Sequence, residues 1–169
     1  METLFISPVV VGVDGSASSL SAVRLAAAHA ASYGRPLHII HSFNWLPRQP
    51  EAADNRTRAI ADDVIRCAVC TAREVDPGIV IRTRLMEGAA APALLRQART
   101  AALLAVGDGG LSAHVCLPTQ TSAVQIAARA ACSVLVARTT TPRDGPIIVG
   151  VNGSSSSEQA LDFAFETAA

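Results

Sequence analysis

The sequence predicts an α/β fold, a five-stranded parallel sheet doubly wound with helices on both faces. Three observations carry that expectation. Apolar runs too continuous for half-exposed strands alternate along the chain with segments of helical character, the first of them Ala-rich. The connections are short, and Gly, Pro or Asp punctuates most of them. Half of the 169 residues are hydrophobic and 17% are charged, which is ample material for a core covered on two sides.

Residues 8–14 (PVVVGVD) are a β-branched run without alternation, the pattern of a strand buried on both faces. Gly15 and Ser16 turn the chain. Ser16 is placed to cap the helix that follows, and Gly34 to close it. Residues 36–43 (PLHIIHSF) make the next strand. A Pro-containing loop leads to a long helix over residues 52–74, ended by Asp76-Pro77-Gly78. Residues 79–86 (IVIRTRLM) alternate, which predicts a strand at a sheet edge. A short helix over 92–99 follows Glu87-Gly88. Residues 101–106 (AALLAV) form a buried strand that runs into Gly107-Asp108-Gly109-Gly110. A mixed loop reaches a helix over 120–130, and residues 133–138 (SVLVAR) are the fifth strand. Ligands of such sheets bind beyond the carboxyl ends of the strands, where strand order reverses. Asp14 and the glycine loop at 107–110 stand at two such ends.

Composition excludes several functions. Acidic and basic residues balance at 14 each, so no electrostatic footprint for nucleic acid or an anionic membrane is present. Every basic residue is Arg. Without Lys the chain cannot build a Walker phosphate loop, a Schiff base, a kinase strand lysine or the receiver domain of two-component signalling. No apolar run is long enough to span a bilayer, and the amino terminus lacks a basic signal-peptide region. A cytoplasmic protein is expected.

The end of the chain repeats its beginning. Residues 146–169 align without a gap on residues 8–31, and about half of the aligned positions are identical. The reading is one domain over residues 1–140, a linker at 141–145, and the first strand and helix of an incomplete second domain at 146–169. Asn152 stands where the first copy has Asp14, and the second copy has no glycine loop of its own.

These residues resemble the universal stress protein family, in particular its tandem-domain actinobacterial type with the second domain truncated. The resemblance rests on VVGVDGS, PLHIIHSFNW, EG after the third strand, LLAVGDGG and ACSVLVAR, in that order and spacing. It implies a Rossmann-like fold related to the adenine nucleotide alpha hydrolases, and binding of ATP or a related adenine nucleotide, with Mg²⁺ neutralising the phosphates. The family signature is Gly, two residues, Gly, nine residues, then Gly with Ser or Thr. Gly107 and Gly110 supply its first half, whereas Gln120-Thr121 holds glutamine in place of the third glycine. The resemblance assigns the nucleotide to Gly12, Val13, Asp14, Ser42, Val106, Gly107, Gly110, Gln120, Thr121 and Ser122. Asp14 takes the ribose side, the backbone near Ser42 the base, and the glycine loop and next helix the phosphates. It also implies a homodimer paired through the fifth strand and a stress-response sensor that acts through partners. The alternative is a degenerate member that binds no nucleotide and serves as a dimerisation or interaction module. No general base stands ready for an attacking water, so no catalytic residue is nominated.

Other residues invite chemistry and have plainer readings. Cys67 and Cys70 have CxxC spacing inside a helix without further ligands, so they read as small apolar residues on one helix face. His38 and His41 point to opposite faces of their strand, and His41 is the one near the adenine edge. His114 lies in the loop over the phosphates, and Asp108 is a conceivable Mg²⁺ partner through water.

Overall fold

The computed structural model describes residues 6–43, 51–109, 121–138 and 145–168. They form two compact units, residues 1–139 and 140–169. The first unit holds β1 (Val9–Val13), α1 (Ala17–Ser32), β2 (Leu37–Phe43), α2 (Glu51–Val75), β3 (Ile81–Glu87), α3 (Ala90–Ala98), β4 (Leu103–Gly107), α4 (Ser122–Arg129) and β5 (Ser133–Ala137). All strands are parallel, in the order β3-β2-β1-β4-β5. This is the expected doubly wound sheet, with β3 at an edge as its alternation indicates.

β1 is central because it is the most continuously apolar strand. Its five residues are all buried, and Val9 pairs with Leu37 on one side and Leu103 on the other. Side chains alternate across the sheet. Val9, Val11 and Val13 pack with Ile39 under α1 and α2, whereas Val10 packs with Ile40 and Leu104 under α3 and α4. The alanines of α1 explain how closely it approaches. Ala22, Ala26, Ala27 and Ala30 are fully buried, so the helix lies on the sheet through methyl groups. Larger side chains at the other end of the contact, such as Leu37 and Ile39, supply most of the apolar burial, at about 1.5–3 kcal/mol for each one fully buried.

Ser16 caps α1 as expected. Its Oγ accepts the Ser19 N–H at 3.2 Å, and Gly34 takes a φ of +60° just after the helix. Helix boundaries shift by a residue or two elsewhere. α4 starts at Ser122 because Thr121 is its N-cap, with Oγ1 accepting the Val124 N–H at 3.4 Å. α3 begins at Ala90, ahead of Pro92, since a proline fits the first turn of a helix.

The second unit holds α5 (Ser155–Ala168). Residues 145–152 carry no regular structure, where the repeat leads one to expect a strand. A parallel strand needs a neighbour to take its backbone hydrogen bonds, and this unit contains no other strand among the described residues. The turn nevertheless recurs in detail. In the first copy Ser16 N–H donates to Asp14 Oδ1 at 2.9 Å, and in the second Ser154 N–H donates to Asn152 Oδ1 at 3.1 Å. Gly15 and Gly153 both have positive φ, at +85° and +75°. No helix among the described residues is long and apolar enough to cross a membrane.

Candidate functional site

Strand order reverses between β1 and β4, and a cleft of about 380 Å³ opens beyond their carboxyl ends. That volume lies within the range of small-ligand pockets. Gly12, Val13 and Asp14 line it from β1 and its exit, and Val106 and Gly107 from β4. Ser42 joins from the end of β2, and Thr121 and Ser122 from the start of α4. Eight of the ten residues singled out in the sequence therefore meet in one place. Gly110 and Gln120 lie outside the described residues, as does His114.

Three helix N-termini converge on this cleft. Ser19 brings the first turn of α1, Ala90 is the first residue of α3, and Thr121 to Ala123 open α4. Each helix start carries roughly half a unit of positive charge on its leading N–H groups, which favours an anion. α1 and α4 are capped by their own Ser16 and Thr121. α3 is not, because Ala89 at its N-cap has no side chain to offer. The N–H groups at the start of α3 thus have no side-chain acceptor of their own.

Asp14 is the acid of the cleft. Partial burial pushes its carboxyl up, but hydrogen bonds from the Ser16 side chain and backbone, with the Ser19 hydroxyl, outweigh burial and hold it below the ordinary carboxylate value. It is a carboxylate at neutral pH. The neighbouring Val13 carbonyl is engaged by His41, whose Nδ1 lies 2.7 Å from the oxygen. His41 does not line the cleft, so its place near the adenine edge is that of a support for β1. Ser42 Oγ donates to the Gly88 carbonyl at 2.5 Å, and Gly88 N–H donates back to the Phe43 carbonyl at 2.9 Å. Together they fasten the end of β2 to the turn that launches α3.

The glycine loop has a second duty that spacing did not reveal. A Cβ on Gly107 would stand 2.7 Å from Ser18 Oγ and 2.7 Å from the Ser19 nitrogen, so this glycine lets α1 close on β4. Gly109 has a φ of +61° with open space around it, so there the backbone turn is what requires glycine.

Asp108 is 4% exposed, its N–H donates to the Ala137 carbonyl at 2.9 Å, and it is not among the described residues that line the cleft. Cys67 and Cys70 are both exposed rather than packed on an apolar face. The face of α2 that meets the core is built from Ala61, Ala68, Thr71 and Ala72 instead. No cluster of three potential metal ligands occurs among the described residues.

Sequence reasoning missed Ser19, Ile40, Ala90, Leu94 and Ala123 and left Gly109 of the glycine loop out of the site, and all six also line the cleft. Ser19 was legible as the third residue of a helix that starts beside Asp14. Ile40 and Leu94 carry no chemical signal in sequence, because only the crossing of α3 over β2 brings them to the site.

The profile of the universal stress protein family matches residues 6–138. Universal stress protein Rv2005c of Mycobacterium tuberculosis is 28% identical over 174 residues, covering 95% of this chain and 59% of its own length. Universal stress protein Rv2623 of the same organism is 27% identical over 175 residues with the same coverage. The chain thus spans about 59% of the length of the curated relatives it matches. A universal stress protein solved in complex with cAMP is 29% identical with a TM-score of 0.65, covering 80% of this chain and 98% of that one. The Archaeoglobus fulgidus protein in complex with dAMP, at 20% identity and TM-score 0.62, covers 79% of this chain and 99% of that one and shares the fold. The chain belongs to the universal stress protein family.

Proposed function

We propose that this member of the universal stress protein family binds ATP or a related adenine nucleotide in the cleft between β1 and β4, and acts in the cytoplasm as a stress-response sensor or regulator through partner association. The observation that carries the reading is the convergence of three helix N-termini and one carboxylate at the reversal point of the sheet. Phosphates suit the helix starts, which hold no basic side chain and present N–H groups instead. Asp14 suits ribose hydroxyls, since a carboxylate fixed by Ser16 keeps acceptor capacity to spare. An adenine ligand is further supported by the cAMP bound in the relative of 29% identity.

In this reading Gly12, Val13 and Ser42 border the base and ribose. Val106, Gly107, Gly110, Gln120, Thr121 and Ser122 border the phosphates. Mg²⁺, when it accompanies ATP, would neutralise phosphate charge. Residues 146–169 are read as the opening of a second domain of the family. The support is the recurrence of the Asp14–Ser16 turn at Asn152–Ser154 and the greater length of the relatives.

Homodimer pairing is assigned to β5. Its five residues carry no charge and Val136 is 40% exposed, whereas the opposite edge strand, β3, bears Arg82 and Arg84. Charged edges resist pairing and uncharged ones invite it. That same edge favours the second reading, an interaction module whose nucleotide site has decayed.

The test is to denature freshly purified protein, identify the small molecules released by mass spectrometry, and titrate Mg-ATP by calorimetry. Release of an adenine nucleotide near one equivalent is expected. No ligand, and no heat at millimolar ATP, overturns the sensor reading and leaves the interaction module. Gln120→Gly separates a narrowed pocket, in which affinity rises, from a lost one, in which it does not change.

A further inference from the structure

We propose that the β2–β3 face carries a second site, adjoining the nucleotide cleft at Ile40 but made of other polar side chains, for a compact oxyanion of the phosphate class, built from His38, Arg82 and Arg84. His38 and Arg82 are register partners on adjacent parallel strands, and Arg84 lies two residues further on, opposite Ile40. The two-residue period puts all three on one face of the sheet. It is the face covered by α3, but α3 packs over β1, β2 and β4, and both arginines on β3 are exposed.

These three residues line a cavity of about 350 Å³. His38 Nε2 is shut off from solvent and has no hydrogen-bond partner. Neither arginine forms an ion pair among the described residues. Two guanidinium groups and an orphaned imidazole nitrogen on one patch form an arrangement that repels itself. An unpaired buried polar atom costs about 1–3 kcal/mol, so the arrangement calls for an acceptor. A tetrahedral oxyanion meets all three. Each planar guanidinium offers two parallel donors, and the Nε2–H tautomer of His38 offers a third direction. The flexible stems of Arg82 and Arg84 can close over an anion seated beside the ring. The described residues that line the patch include no acid to repel it.

The test uses the full chain and follows the ring signals of His38, which lines this cavity and not the nucleotide cleft, by NMR, and the arginine variant below separates the two sites. Inorganic phosphate and glycerol 3-phosphate are titrated separately at constant ionic strength, with chloride as the reference anion. A saturable shift is expected with at least one of them. Tighter binding of inorganic phosphate identifies the free ion as the source, and tighter binding of the monoester identifies a phosphorylated metabolite. The double variant R82Q/R84Q removes two exposed charges outside the core, and is expected to weaken binding at least about tenfold for each guanidinium removed. The proposal is overturned if neither phosphate produces a saturable shift, if chloride produces the same one, or if R82Q/R84Q binds as tightly as the parent.

Discussion

Gly107 and Ser19 approach so closely that a Cβ on the glycine would stand 2.7 Å from the serine backbone nitrogen. β4 ends at this point and α1 makes its first turn beside it. The contact places one helix N-terminus at the mouth of the cleft, and the glycine that a phosphate-binding signature expects is thereby also a packing glycine.

Gly107→Ala should therefore destabilise the protein without any ligand being involved. Two of the three nearest atoms are Ser18 and Ser19 backbone in the capped first turn of α1, which cannot move aside, and overpacking of this kind costs about 1–3 kcal/mol. Gly109→Ala meets nothing within 4 Å and has only its φ of +61° to oppose it, so about 1 kcal/mol is expected there. Urea denaturation of both variants checks the order. Equal losses would mean that α1 does not rest on Gly107.

Asp14 and Asn152 predict what an amide does in the first copy. Asn152 Oδ1 accepts the Ser154 N–H as Asp14 Oδ1 accepts that of Ser16, so Asp14→Asn should keep the turn and the cap of α1. Asp14→Ala loses the acceptor of the turn while Ser16 still caps α1, at a cost of about 1 kcal/mol. The two also differ with pH. The folded-state pKa of Asp14 is held below its ordinary 3.8, so its contribution is complete above that value and lost as pH falls through the lower folded one. Acid titrations of stability should show this segment in the parent and not in the Asn variant. Nucleotide affinity should fall in both, because the ribose acceptor loses its charge or disappears.

How much of this was legible follows from what each residue does. The buried strands were readable because β1 and β4 are apolar on both faces, and the edge position of β3 because Arg82 and Arg84 break that pattern. Ser16 and Asp14 were readable because a cap and its turn are local. The burial of Asp108 was not legible, because sequence places it in a polar glycine loop, whereas its N–H bond to Ala137 draws it against β5. That Cys67 and Cys70 share a face of α2 was legible from their spacing, whereas the exposure of that face was not, because spacing does not say which face the core takes. The strand expected at 146–152 is not formed, because the described residues of its unit hold no partner strand to take its backbone hydrogen bonds.

His38 sets a pH dependence nearer neutrality. Burial, then the charges of Arg82 and Arg84, lower its pKa from the ordinary 6.5. Below 6.5 the unfolded chain binds the proton more readily than the folded one, so stability declines from there until the folded pKa is passed. His29 is lowered too, by burial and Arg35, and adds a slope of the same sign. His38→Gln should remove part of the loss between neutral and mildly acidic pH and leave the rest. An unchanged slope in thermal unfolding across that range would refute the assignment.

Ala89→Ser tests whether stability and ligand affinity compete at α3. Ala89 already has an N-cap backbone, with φ −67° and ψ 135°, so serine fits without strain. The usual third-position partner is unavailable, because Pro92 has no N–H to donate. A new Oγ would have to take the Ala91 N–H, and a gain toward the lower end of the usual 0.5–2 kcal/mol for a cap is expected, about 0.5 kcal/mol. If the open helix start serves phosphate, the same hydroxyl occupies a donor the nucleotide uses, and affinity for Mg-ATP should fall severalfold as the melting temperature rises. A gain in stability with unchanged affinity would assign the phosphates to α1 and α4 alone.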